Sequence, residues 1–242
     1  MTLRLGMLTP SSNTVLEPVT QAMLADAPGV TAHFSRFRVT EIGLGAAQLS
    51  QFEQEPILAA AELLSHAKVD CIAWNGTSAS WLGFERDEAL CAALAARTGA
   101  APCTAVLGFR DLFRAAGARR IGLVTPYTTD VQTRIAENWG REGFEVTAER
   151  HAGLSDNFSF ATLPQERIAA MIREVAADRP DCVAVVCTNM DAARLAPEIE
   201  RETGVPVFDS VAVTLRACLA ALGARSPGLA RWGRLFDRWA PA

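Results

Sequence analysis

The chain has 242 residues, 50% of them apolar and 21% charged, which is the composition of an ordinary globular protein with room for one large domain or two small ones. Its net charge of −4 offers no basic surface to nucleic acid, and no stretch comes near the ~18 consecutive apolar residues of a membrane span. The N-terminus MTLRLGMLTP starts as a strand and lacks the pattern of a secretion signal, and six cysteines without a CxxC pair point to a reduced, cytoplasmic protein.

In chain order, the first predicted strand is 3-LRLGMLT, which runs into the turn 9-TPSSNT. A second, 30-VTAHFSRFRV, precedes an amphipathic helix at 55-EPILAAAELLSHA. Strand 69-VDCIAW opens into the loop 75-NGTSAS and is followed by helix 86-RDEALCAALAART. Strand 120-RIGLVT leads into 125-TPYTTD and helix 131-VQTRIAENWGREG. Strand 144-FEVTAER, helix 165-QERIAAMIREVAA and strand 182-CVAVVC complete the series, the last ending at 187-CTNMD. Strands apolar on both faces, alternating with amphipathic helices, imply an α/β fold of parallel sheets flanked by helices.

The series repeats itself. The segment 6-GMLTPSSNT matches 122-GLVTPYTTD in type, and 70-DCIAWNGTSAS matches 181-DCVAVVCTNMD. The echoes continue, in the same order, at 97-RTGAAP and 202-ETGVP, then at 112-LFRAAG and 218-CLAALG. Four ordered matches imply two α/β lobes related by a pseudo-twofold axis, residues 1–116 plus 217–242 forming one and 117–216 the other. Ligands of parallel sheets bind beyond the carboxyl ends of the strands, which gathers 9-TPSSNT, 75-NGTSAS, 125-TPYTTD and 187-CTNMD around one cleft. Hydroxyls and unpaired amides at helix starts make such a cleft an anion site, and a carboxylate is the obvious small guest.

Several chemistries lack candidates. Lys68 is the only lysine, which leaves Schiff-base chemistry without support. His33, His66 and His151 stand singly, without metal-ligand spacing, and neither a GxGxxG turn nor a Walker loop is present. The expectation is a reaction that needs no cofactor and no metal. Cys187, at a strand end facing a hydroxyl-rich loop, is the candidate reactive thiol, whereas Cys71, Cys91, Cys103, Cys182 and Cys218 read as core. Thr77 and Ser78 suit both helix capping and anion binding. Tyr127, the only tyrosine, follows Pro126 and has Ser11 as its counterpart in the first lobe. Ser78 lies outside any GxSxG elbow, and no histidine completes a triad. Arg36 and Arg38 share a strand face and read as a solvated edge.

These segments resemble the aspartate/glutamate racemase superfamily and, within it, the branch of arylmalonate decarboxylase and maleate cis-trans isomerase. The turn 10-PSSNT-14 resembles that of the isomerase, and 76-GTSAS-80 with 102-PCTAVLGFRDLFRAAGARRIGLVTPYTTDV-131 resembles the decarboxylase. The resemblance implies an active site between the lobes with one cysteine position on each side. Gly76 holds the first of these positions and Cys187 the second, which is the decarboxylase arrangement. It further implies that Cys187 is the proton donor and that Thr77, Ser78 and Tyr127 form a dioxyanion hole with nearby amides. Pro10, Ser11, Asn13, Gly76, Asn157 and Thr188 would line the substrate. Where the decarboxylase pocket is apolar, 36-RFRVTEIG and 153-GLSDNFSF supply Arg38, Asp156 and Asn157, and Asn13 is an isomerase-like feature. These suit a small polar diacid.

The leading expectation is a cofactor-independent decarboxylase of a substituted malonate or related small dicarboxylate, working through an enediolate. The alternatives are an isomerase or racemase of the same superfamily and, in another class, a non-catalytic carboxylate-binding protein. The expected partner is a small dicarboxylic acid rather than nucleic acid or membrane, and a homo-oligomer is left open.

Overall fold

The computed structural model describes residues 2–225 and 227–239. Its strands form two parallel four-stranded sheets. The first contains β1 (Leu3–Pro10), β2 (Val30–Phe37), β3 (Cys71–Trp74) and β4 (Ala101–Thr104) in the order β2-β1-β3-β4. The second contains β5 (Arg120–Thr125), β6 (Glu145–His151), β7 (Cys182–Val185) and β8 (Val207–Asp209) in the order β6-β5-β7-β8. The same order in both sheets is the repeat read in the sequence. The helices are α1 (Leu16–Leu24), α2 (Ala46–Leu49), α3 (Gln54–His66), α4 (Ala79–Leu82), α5 (Phe84–Thr98) and α6 (Ala105–Ala116), then α7 (Thr129–Arg141), α8 (Gln165–Ala177), α9 (Ala196–Thr203), α10 (Ser210–Ala221) and α11 (Arg234–Asp237).

Six strands match predicted segments; β4 and β8 were not predicted. They span four and three residues. That is too short to show a period, and prolines at 102 and 206 further hide them. The predicted strand at 30–39 ends at Phe37, which frees residues 38–42 to reach toward the other lobe.

Matched residues do matched structural work. Asp70 Oδ2 accepts the Arg4 amide at 2.7 Å, and Asp181 Oδ2 accepts those of Arg119 and Arg120 at 2.8 Å, so each carboxylate ties the strand opening its own lobe. Gly6 and Gly122 sit at the same register in β1 and β5, where a helix presses on the sheet. A Cβ at Gly122 would overlap Val175 of α8, and one at Gly6 would crowd Leu64, Val69 and Ile72 at 3.2 Å. Thr104 caps α6 through the Leu107 amide, and Asp209 caps α10 through those of Val211 and Ala212.

The two capped helices each pack across the repeat. Phe109 and Phe113 of α6 join Trp139, Phe144 and Phe208 of the second half in one aromatic cluster, with centroids 5.1–6.3 Å apart. In return, α10 packs on α6, β4, β3 and α1. This apolar exchange fixes the two sheets relative to each other, and with them the loops at their carboxyl ends. Cys71, Cys103 and Cys218 meet inside this packing, their Sγ atoms 3.7 and 3.5 Å apart in sequence along the trio. Cys182 is also buried, whereas Cys91 is half-buried on α5. Among the described residues no helix is long and apolar enough to cross a membrane.

Candidate active site

The loops after β1, β3, β5 and β7 converge as the repeat requires. Cys187, two residues past β7, is 3% exposed. Its amide donates to Ser210 Oγ at 3.0 Å, and its Sγ accepts the Asn189 amide at 3.3 Å. Opposite it, Tyr127 Oη and Thr77 Oγ1 share a 2.7 Å hydrogen bond across the lobes. The Tyr127 ring is wedged edge-on between Trp81 and Phe160, which aims its hydroxyl at the thiol.

Burial pushes the Cys187 thiol up to about 12, and the nearby Asp209 carboxyl adds to the rise. The Asn189 and Met190 amides and the Tyr127 hydroxyl oppose it. Tyr127 is itself held well above its usual value, first by burial and then by the neighbouring sulfur. Cys187 and Tyr127 are therefore both protonated at neutral pH, and the centre is an uncharged thiol beside an uncharged phenol. Asp209, buried against the α10 amides, is pushed up to about 7.

Around this pair lie main-chain donors. Among the described residues, the N–H groups of Gly76, Thr77, Ser78 and Thr188 find no acceptor in the protein, although all four residues are buried. Ser78 Oγ likewise takes no hydrogen-bond partner among the described residues, and its carbonyl starts α4 by accepting Trp81 and Leu82. Buried amides are normally paired, so several unspent ones in one place mark a prepared anion site.

The remaining predicted residues form the frame. Asn13 Nδ2 donates to Thr188 Oγ1 at 3.0 Å, and Thr188 Oγ1 donates to the Asn75 carbonyl at 2.9 Å. Asn13 Oδ1 accepts the Val15 and Leu16 amides, beginning α1. Pro10 is buried at the end of β1. Asn157 donates from Nδ2 to Ser12 Oγ at 2.7 Å, and its carbonyl accepts Asn189 Nδ2 at 2.6 Å. Ser11 is exposed, and its hydroxyl is spent on the Val39 backbone. Asp156 is exposed and turned to Ser159. Arg36 braces the first turn from outside, bonding the carbonyls of Ser11 and Asn13 and the carboxylate of Glu17. Arg38 lies in a surface groove of about 400 Å³ with Thr40, Glu41 and Gln51.

Three residues with structural roles at the site were not singled out from sequence. Asn189 Oδ1 accepts the Thr14 and Val15 amides, Asn75 anchors Thr188, and Ser210 holds the Cys187 amide. A main-chain clasp adds to these ties: Ile42 donates to the Ser155 carbonyl at 2.8 Å and Asn157 to that of Thr40 at 2.9 Å. The lobes are thus stapled shut around Cys187.

The family model described as arylmalonate decarboxylase matches residues 13–236. The chain belongs to the arylmalonate decarboxylase family. It is 27% identical over 234 residues to the maleate isomerase of Geobacillus stearothermophilus, covering 92% of this chain and 93% of that protein. It is 26% identical over 235 residues to the arylmalonate decarboxylase of Bordetella bronchiseptica, covering 95% and 97%. The maleate isomerase of Pseudomonas putida S16, solved with maleate, matches with a TM-score of 0.86 at 25% identity over 98% of each chain. The protein is therefore an enzyme of a family whose members include both a carboxy-lyase and isomerases.

Proposed function

We propose that the enzyme is a cofactor-independent decarboxylase of a substituted malonate or a related small dicarboxylate, with Cys187 as its proton donor. The observation that carries this reading is the placement of one buried thiol, Cys187, beside the Tyr127 hydroxyl and a set of unspent main-chain donors, with Gly76 at the matching position of the other lobe. One substrate carboxylate sits on the amides of Gly76, Thr77 and Ser78 and on the Tyr127 and Ser78 hydroxyls. The bond to the second carboxylate breaks, carbon dioxide leaves, and the electron pair moves into the first carboxylate as an enediolate. Fixed donors around the developing charge supply the largest part of the acceleration. Cys187 then gives its proton to the planar carbon, and water reprotonates the thiolate. A proton acceptor would have to be thiolate, and burial leaves little of that form at neutral pH.

The frame explains why the cleft works as a unit. Asn13, Thr188 and Asn157 hold the two lobes together around the substrate, and Pro10 and Ser11 shape the turn that carries Asn13. The test is carbon dioxide release from a panel of alkyl, hydroxy and aryl malonates by wild type and Cys187→Ala. Release by wild type and loss in the variant is the expected result, and equal silence on every malonate sinks the proposal. The polar Asn13–Thr188 pair favours one second reading, a maleate isomerase, which the same preparations test by conversion of maleate to fumarate without loss of carbon.

A further inference from the structure

Gly76 and Cys187 are counterparts in the repeat. Each lies two residues past the third strand of its sheet, after Trp74 and Val185 respectively. The side-chain direction at Cys187 carries the thiol. At Gly76, a Cβ would overlap the six-membered ring of the Trp74 indole, at Cζ2, Cε2 and Cη2. Trp74 is 1% exposed, and its ring lies 5.0 Å from that of Phe37, so it has no free volume in which to swing aside.

We propose that Trp74 is a specificity-determining residue: its indole fills the place that mirrors the Cys187 thiol and walls one face of the bound substrate. The inference rests on the decarboxylase reading and deepens it. A glycine alone removes a thiol but leaves a vacancy, through which water can reach the planar enediolate. An indole closes that vacancy with a flat apolar face whose N–H is a hydrogen-bond donor and not an acid at neutral pH. Protonation is then confined to the Cys187 side, and a prochiral malonate gives a product of one hand. The second lobe has the small Val185 where the first has Trp74, so the two lobes differ in paired fashion: large residue with glycine, small residue with thiol.

Four proteins test this: wild type, Gly76→Cys, Trp74→Val and the double variant Trp74→Val/Gly76→Cys. Thermal melting reads the packing without any need for activity. Overpacking predicts that Gly76→Cys melts lower than wild type by about 2–12 °C. Adding Trp74→Val to it recovers much of that loss, although Trp74→Val alone lowers the melting temperature by opening a cavity. With methyl(phenyl)malonate as the probe, wild type gives one enantiomer and Trp74→Val a product of lower enantiomeric excess. In deuterium oxide the double variant exchanges the α-hydrogen of the isolated product acid. One thiolate removes that hydrogen to form the enediolate, and the opposite thiol returns a deuteron to the other face. Gly76→Cys alone exchanges at least tenfold more slowly than the double variant. A Gly76→Cys protein that melts with wild type and racemises unaided overturns the inference, as does a double variant no more stable than Gly76→Cys. If wild type releases no carbon dioxide from any malonate, the decarboxylase reading falls while the melting comparison still decides where the indole sits.

Discussion

The thiol of Cys187 should resist ionisation until strongly alkaline pH, and this can be measured without knowing the substrate. A free cysteine titrates near 8.5 and is a few per cent thiolate at pH 7. Cys187, pushed up to about 12 by burial, is ionised at that pH in only about one molecule in 10⁵, roughly three thousandfold less. The perturbation is a series of buffers from pH 6 to 10.5, with iodoacetamide as the alkylating agent. The readout is the rate of modification of the peptide carrying residue 187, measured by mass spectrometry, with Cys187→Ala as the blank. Since only the thiolate reacts, the rate should climb tenfold per pH unit above pH 8, where Asp209 is already ionised, without levelling off. Steric shielding lowers every rate by the same factor and leaves the slope intact. A plateau at pH 8 or 9 would refute the assignment of burial as the dominant influence. The consequence for catalysis follows directly. A decarboxylase that uses the thiol as an acid keeps a flat profile from pH 6 to 9, so far as Cys187 governs it. A reaction that begins with thiolate attack gains tenfold per unit over the same span.

Tyr127→Phe removes the hydroxyl that bonds Thr77 at 2.7 Å and faces the thiol; decarboxylation should slow by about 10²–10³-fold while stability changes by only about 1 kcal/mol, and an unchanged rate would remove Tyr127 from the site. Asp209→Asn keeps an oxygen for the Val211 and Ala212 amides but removes a charge that raises the Cys187 value. Its alkylation should therefore run faster than in wild type above pH 7 and converge with wild type below it, where Asp209, pushed up to about 7, is itself protonated. Asp87 is fully buried with Oδ2 unpartnered, and burial pushes its carboxyl up to about 7 from 3.8. The folded state then holds the proton longer than the unfolded state, so stability falls as pH rises from about 4 to 7 and is level above. Asp87→Asn should shrink the melting-temperature difference between pH 5 and pH 8, and an unaltered difference would show that Asp87 is ionised in the fold.

What could be read from the sequence was what leaves a local or repeated trace. Strands such as 3-LRLGMLT and 182-CVAVVC declare themselves by apolar runs, and the echo of Asp70 in Asp181 located the cleft because both lobes need the same carboxylate at the same place. Cys187 and Gly76 stood out because the echo breaks there. Trp74 gave no such signal. An apolar residue ending an apolar strand looks like core, and only the backbone at Gly76 reveals what its ring displaces. Asn189 was hidden for a different reason: its partners Thr14 and Val15 are about 175 residues away in sequence, and nothing local distinguishes it from a turn residue. Asn157 was noticed as a polar side chain near the cleft, yet the structure commits its amide to Ser12. Polarity in a loop tells that a partner is needed, but not whether that partner is ligand or protein.

The distribution of symmetry within the chain is itself informative. Where the two halves carry structural load they agree: Asp70 with Asp181, Gly6 with Gly122, and the side-chain caps Thr104 and Asp209 on the exchanged helices α6 and α10. At the strand ends that lead into the cleft they disagree at consecutive positions, Trp74-Asn75-Gly76 against Val185-Val186-Cys187. The loop bearing Asn75 carries three unspent amides, and the loop bearing Cys187 carries a fourth together with the buried thiol to which the proposed reaction assigns the proton. A reaction that removes and returns a proton on opposite faces needs matched groups on both sides, and nothing in a symmetric scaffold forbids them. Decarboxylation needs charge stabilisation and one proton, and it gains handedness if the second face is closed. The scaffold is symmetric where folding requires it and asymmetric over the three residues where the proposed one-sided chemistry would act. On the proposed reading, selectivity originates in the ends of β3 and β7, and Trp74 is as informative about the reaction as Cys187.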